Sequence, residues 1–267
     1  MPSSIPTAPG PRAFWRWLLP LAVLACLYVN YVFNAHPPAG AYSNGQMSAW
    51  HPTLLTPAGY AFSIWGVIFI GLVVYAVWQL LPRQPIAELP ARLAPPLTLA
   101  VLATTAWTLV FSYEQIALSL VVMLMLLVLL AVSYARARQL ALAERAPSWP
   151  VWFLSLYLGW VMLATTLNMV FGLRDGLGWH WSAPASLWGS CVLIVVSAGI
   201  GVALAWRARD VRLPLPLAWG LVGTWVAQQG RVPEVAATAL GAAIALLVGA
   251  VLAVVQRRRR AAAEGAQ

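Results

Sequence analysis

Lysine is absent from the chain, and acidic side chains number only seven. All 16 basic residues are arginine, and charged residues make up 9% of the 267 positions against 61% hydrophobic ones. A soluble domain is usually about a quarter charged. A chain this poor in charge cannot cover an apolar core with a polar surface, so lipid must be its solvent. The scarcity also excludes chemistry. The acids are Glu88, Glu114, Glu144, Asp175, Asp210, Glu234 and Glu264, and none is paired within an apolar run. Carboxylate dyads and proton-relay chains are therefore unsupported. Cys26 and Cys191 both fall inside apolar runs, which argues against a disulfide framework. There is no glycine-rich phosphate loop and no Cys/His metal spacing. No enzyme signature remains.

What the chain has instead is long apolar runs. A transmembrane helix needs about 20 apolar residues to cross about 30 Å of hydrocarbon. Eight candidates meet or approach that length: 14–35, 59–81, 95–111, 116–134, 151–173, 186–206, 213–228 and 232–255. The third and seventh are the shortest. The expected fold is all-α, a polytopic membrane bundle of about eight helices.

The formal net charge of +9 does not point to nucleic acid, because no basic stripe with interleaved exposed aromatics occurs. The arginines lie in the short segments between runs. Alternating loops divide them fourteen to two, with only Arg174 and Arg231 on the poorer side. Cytoplasmic loops hold the excess of basic residues, so both termini are expected on the cytoplasmic side of the membrane. Ala39-Gly40-Ala41 resembles a signal-peptide cleavage site. The run before it is long for a signal peptide and carries Tyr28, Asn30 and Tyr31, so it reads as a retained helix.

Trp15, Trp17, Trp149, Trp152, Trp179, Trp181 and Trp206 lie near predicted span ends, where amphipathic rings settle at the lipid interface. The tails, 1–11 and 261–267, read as disordered, and Arg257 to Arg260 as an anchor to anionic headgroups. The last three spans differ in texture. Ser197, Gly201 and Ala205 repeat at four-residue spacing, as do Gly241, Ala245, Gly249 and Ala253. Such faces let helices approach closely, either within one chain or between two copies in a homodimer.

Candidate site residues come from the earlier spans. Trp160, Ala164 and Asn168 are four apart and share one helix face, with a small alanine between a ring and an amide. Pro57, Tyr60, Phe62 and Trp65 form an aromatic cluster behind a helix-starting proline. Trp107 and Phe111 are again four apart, and Asn30 closes the first span. With alternating topology all of these fall at one depth, beneath the long loop 36–58 that carries Trp50 and His51. Aromatic walls with a few polar groups describe a pocket for a flat apolar ligand; ordinary aromatic packing is the alternative. His36, His51 and His180 all fall in loops on that side. They would either converge on a metal or haem iron or stand as solvated loop residues.

Tyr157-Leu158-Gly159-Trp160 followed by Ala164-Thr165-Thr166-Leu167-Asn168 resembles the fifth-helix pattern of the TspO/MBR family, the tryptophan-rich sensory or translocator proteins. The segment Pro57 to Trp65 is a looser match to the family's second helix. The resemblance covers about 14–174, five helices in order with the long first loop in place. Leu156 stands where the family has proline, Thr104 where it has asparagine, and Tyr60 where it has tryptophan. The family's sterol-recognition pattern is not intact around Phe171 and Arg174; Val132 to Arg136 matches that pattern elsewhere, on weak grounds.

The resemblance implies a five-helix core over 14–174, with three added helices over 175–256 and a basic tail over 257–267. It implies binding of a flat hydrophobic ligand such as a porphyrin or haem, in a sensory, regulatory or transport role. Trp65, Trp107 and Trp160 would be walls, Ala164 the floor, Asn168 and Asn30 polar contacts, and Trp50 and His51 the lid. Membrane lipid would be the other partner. A solute transporter or channel on the same bundle is the alternative, and an enzyme degrading its tetrapyrrole a third reading.

Overall fold

A computed structural model describes residues 11–81 and 88–264. Of the tails expected to be disordered, 1–10 and 265–267 lie outside the described residues, as does Arg83, whereas Pro11 and 261–264 are helical, continuing the neighbouring spans. Among the described residues the chain is helical, without strands. The helices are α1 (Pro11–Ala35), α2 (Asn44–Trp50), α3 (Ile64–Trp78), α4 (Glu88–Ser112), α5 (Ile116–Leu142), α6 (Pro150–Phe171), α7 (Ala183–Ala208), α8 (Pro214–Gln228) and α9 (Pro233–Glu264). A 3-10 turn, Gly59–Ser63, leads into α3, and a π-helical turn, Gly172–Gly176, closes α6.

Seven helices are long and apolar enough to cross a bilayer, which makes the chain an integral membrane protein. The expected seventh span is the exception. At 15 residues α8 is about 22 Å long, short of the hydrocarbon thickness. Turns at 211–213 and 229–231 lengthen it at both ends. Leu217, Ala218, Leu221 and Thr224 are buried, so protein rather than lipid covers much of its surface. A sheltered helix does not need a full apolar run. At the other extreme, α9 continues through the arginine run to Glu264.

α4 and α6 form the middle of the bundle. α4 packs on α1 and α5, and α6 on α3, α5 and α8. α9 packs on α7 and α8, so α8 is the main bridge between the last three helices and the rest. At the arginine-rich end Asp210, buried between α7 and α8, accepts from Tyr134 of α5 at 3.1 Å and Ser155 of α6 at 2.6 Å. Arg138 donates to the carbonyls of Ala208 and Arg209. A buried carboxylate is costly unless its lone pairs are filled, and here hydroxyls and the Arg212 N–H fill them. At the same end α1 and α3 are tied by Arg16 Nε donating to the Gln79 carbonyl and Gln79 Nε2 donating to the Arg16 carbonyl.

Close approach explains several glycines. A Cβ on Gly159 would lie 2.2 Å from the Leu213 carbonyl oxygen, and one on Gly220 would lie 1.9 Å from Leu163 Cδ2. Both contacts join α6 to α8, so Gly159 of the Tyr157 to Trp160 segment serves the packing of α8. Gly201 fits against Leu217 and Leu246. On α9 the buried face is Ala239, Ala242, Ala243, Leu246, Gly249 and Ala250. Gly241 and Ala245 of the expected small-residue stripe face outward.

Candidate ligand cavity

The i, i+4 spacing on α6 stacks Trp160, Ala164 and Asn168 as expected, and all three are buried. Facing them from α4, Trp107 and Phe111 stack at 5.0 Å with 14° between their planes, and Phe111 continues onto Phe171 at 6.1 Å. From the 3-10 turn and α3, Phe62 meets Trp160 edge-on at 5.8 Å, and Trp65 meets Trp160 at 6.5 Å and Tyr157 at 5.9 Å. These rings enclose a recess of about 30 Å³, roofed by Asn44 and Ser48 of α2 and by Thr56. That volume is roughly one water's share of the liquid.

A second and larger cavity, about 750 Å³, shares Asn44, Ser48, Thr56, Phe62 and Trp65 with the recess. Its other walls are Leu27, Asn30, Tyr31 and Asn34 of α1, and Phe69 of α3, with Pro57 and Gly59 at the loop. It is a cleft between α1 and α3, floored by rings and lined with amides at its α2 end. A drug-sized ligand needs about 300–1,000 Å³. The cleft has that room, and the recess behind it takes only a small substituent.

Of the residues expected to form the site, Phe62, Trp65, Trp107, Phe111, Trp160, Ala164 and Asn168 converge on the recess, and Asn30 and Pro57 on the cleft. Trp50, His51 and Tyr60 do not line either space. Trp50 is exposed and packs on Tyr42 at 4.3 Å, and Tyr60 packs on Trp219 of α8 at 5.2 Å. His51 pairs through Nδ1 with Asp175 at 2.8 Å, and Asp175 in turn holds Arg174. Arg174 also donates to the Pro52 carbonyl at 2.7 Å, so these residues clasp the first loop to the end of α6. The three histidines do not converge: among the described residues no three His, Cys, Asp or Glu side chains gather in metal-binding range.

The two asparagines read as polar contacts are largely spent on the protein. Asn168 Oδ1 accepts from Trp107 Nε1 at 3.0 Å, and its Nδ2 donates to the Ala164 carbonyl at 2.8 Å. Asn30 Nδ2 donates to the Cys26 carbonyl, and its Oδ1 accepts from Thr108 at 3.2 Å. Tyr157, fully buried, is bonded to the Thr104 hydroxyl. Two other groups are unspent. Trp160 Nε1 and Asn44 Oδ1 are buried without a hydrogen-bond partner, and both residues line the recess. Cζ3 of Trp160 rests toward Gly220 of α8. Nε1 lies at the opposite end of the indole, so the N–H edge is turned away from α8. Buried donors and acceptors without partners are rare and costly, by about 1–3 kcal/mol each.

Asn44, Ser48 and Thr56 were not among the expected residues. A signal for α2 did exist, since Ser43 and Gln46 have capping-box spacing. Gln46 N–H donates to Ser43 Oγ at 3.2 Å, and Ser43 N–H to Gln46 Oε1 at 2.8 Å. The capped helix is then pinned by Asn44 N–H donating to Asn34 Oδ1 at 3.1 Å.

A family model described as TSPO-like protein matches residues 16–252. No curated protein and no solved structure matches the chain.

Proposed function

The chain belongs to the TSPO-like protein family, and from that premise we propose that it binds a flat, hydrophobic ligand of the tetrapyrrole class in the cleft between α1 and α3. Its role would be sensory, regulatory or in transport. The observation that carries the reading is the 750 Å³ cleft, walled by Trp65, Phe62 and Phe69, with the recess behind it lined by Trp160 and Asn44, whose Nε1 and Oδ1 are unpaired. Ring faces suit a planar π-system. One donor and one acceptor kept from the protein suit the few polar groups on its edge.

The macrocycle belongs in the cleft, and the recess at Ala164 receives no more than a peripheral substituent. Asn44, with its unpaired side-chain oxygen, would face the polar rim of the ligand, and Leu27 and Phe69 its apolar body. The fourteen-to-two arginine split supports an orientation with both termini cytoplasmic and the cleft toward the outer leaflet of a bacterial inner membrane.

Absorbance titration of the purified full-length protein with protoporphyrin IX tests the proposal. Saturable binding with a shifted porphyrin band and quenched tryptophan emission is the expected result. Linear, unsaturable uptake equal to that of empty detergent micelles would overturn it.

A further inference from the structure

The cleft's inner lip is the segment Leu55 to Phe62, and that segment is held from behind by α8. Thr224, fully buried, donates its hydroxyl to the Leu55 carbonyl at 2.9 Å. The Ala58 N–H donates to the Gly223 carbonyl at 3.0 Å, and Trp219 Nε1 donates to the Ala61 carbonyl at 3.0 Å. Three hydrogen bonds to two successive turns of one helix thus hold the stretch that leads into the 3-10 turn. A Cβ on Gly223 would lie 2.9 Å from both Pro57 Cβ and Ala61 Cβ, so the loop lies directly on the helix backbone. One turn earlier, Gly220 lies against the Trp160 ring. α8 therefore backs two walls of the site: the lip at Thr56 to Phe62, and the indole with the unpaired N–H.

We infer that α8 is a positioning element for the ligand site, with Thr224, Gly223 and Trp219 setting where the Leu55 to Phe62 lip stands and so how wide the cleft is. This rests on the cleft being the ligand site. Among the last three helices this gives α8 a task beyond packing, since α8 holds the lip. None of the three α8 residues lines the cleft, so each acts through the lip.

The test uses the full chain in detergent with cysteine in place of Gly59. Gly59 lines the cleft, and a side chain there meets nothing within 4 Å. The native Cys26 and Cys191 are buried. Two quantities are read: the rate at which Gly59→Cys reacts with a maleimide, and the affinity for protoporphyrin IX. Thr224→Val keeps the shape and removes the donor. It should raise the labelling rate and weaken porphyrin binding by roughly three- to tenfold, the factor expected of one lost hydrogen bond. Thr224→Ser should restore both, which a merely structural role for side-chain volume would not predict. Trp219→Phe, at a half-exposed position, supplies the same test should Thr224→Val fail to fold. Unchanged labelling of Gly59→Cys in folded Thr224→Val or Trp219→Phe protein overturns the inference. Faster labelling in a protein whose parent binds no porphyrin leaves the positioning role standing and removes the tetrapyrrole reading instead.

Discussion

Trp107 of α4 donates its indole N–H to the side-chain carbonyl of Asn168 on α6 at 3.0 Å, deep in the bundle. The bond joins the two most buried helices just where the recess begins. It also fixes the plane of the Trp107 ring, which carries the stack through Phe111 to Phe171. Ser119 lies 3.4 Å from the same Asn168 oxygen, but its proton goes to the Ile116 carbonyl at 2.7 Å. Asn168 is thus a brace for an aromatic wall.

A double-mutant cycle with Trp107→Phe and Asn168→Leu measures that brace. Interhelical hydrogen bonds in membrane proteins contribute about 0.6 kcal/mol on average and up to about 1.7. A coupling within that range is expected in detergent unfolding. Asn168→Leu alone should cost more, about 1–3 kcal/mol, because it leaves a buried indole N–H unpaired. Strictly additive single variants would remove the brace from the account.

Short α8 makes topology worth measuring. Cysteines at Leu177, exposed after the π turn, and at Gly230, where a Cβ meets nothing within 4 Å, should both react with an impermeant reagent added to intact cells. A cysteine at Leu142, exposed at the end of α5, should not. Labelling of Leu177→Cys without Gly230→Cys would mean that α8 enters the membrane and fails to cross it. Labelling of Leu142→Cys would reverse the orientation.

Much of the fold was legible because lipid imposes one rule, a long apolar run per span. That rule recovered every long helix, and it was least accurate at α8, where neighbouring protein replaces lipid. The i, i+4 stack of Trp160, Ala164 and Asn168 was legible for the same geometric reason. What stayed hidden was how polar groups share partners. Asn30 and Asn168 look like ligand contacts in the sequence, and only the fold reveals Thr108 and Trp107 filling them. The role of α8 was hidden too, since Thr224 and Leu55 are 169 positions apart.

Gly249→Leu separates packing from binding. A Cβ at Gly249 would sit 3.2 Å from both γ carbons of Val202, and the Gly249 carbonyl accepts from Trp206 Nε1 at 3.0 Å. Leucine overfills this α7–α9 contact, and overpacking costs about 1–3 kcal/mol. Lower thermal stability is expected with unchanged porphyrin affinity in the protein that folds, because neither α7 nor α9 lines the cleft. Weaker binding in well-folded Gly249→Leu protein would extend the site into the last helices.

The recess at Ala164 gives the sharpest test of how deep the ligand reaches. At about 30 Å³ it cannot take a leucine side chain without displacing Trp160 or Trp107. Ala164→Leu should therefore destabilise the fold by about 1–3 kcal/mol. It should also weaken porphyrin binding at least roughly tenfold, a loss of about 1.4 kcal/mol, by blocking the recess and moving the Trp160 N–H. The indole itself supplies the control. In a ¹H–¹⁵N spectrum the signal missing from Trp160→Phe identifies Trp160. That signal should move downfield when protoporphyrin IX is added, as an unpaired N–H gains an acceptor. Ligand held only in the outer cleft would leave both the Trp160 signal and the affinity of Ala164→Leu unchanged. That result would confine the site to α1, α2 and α3.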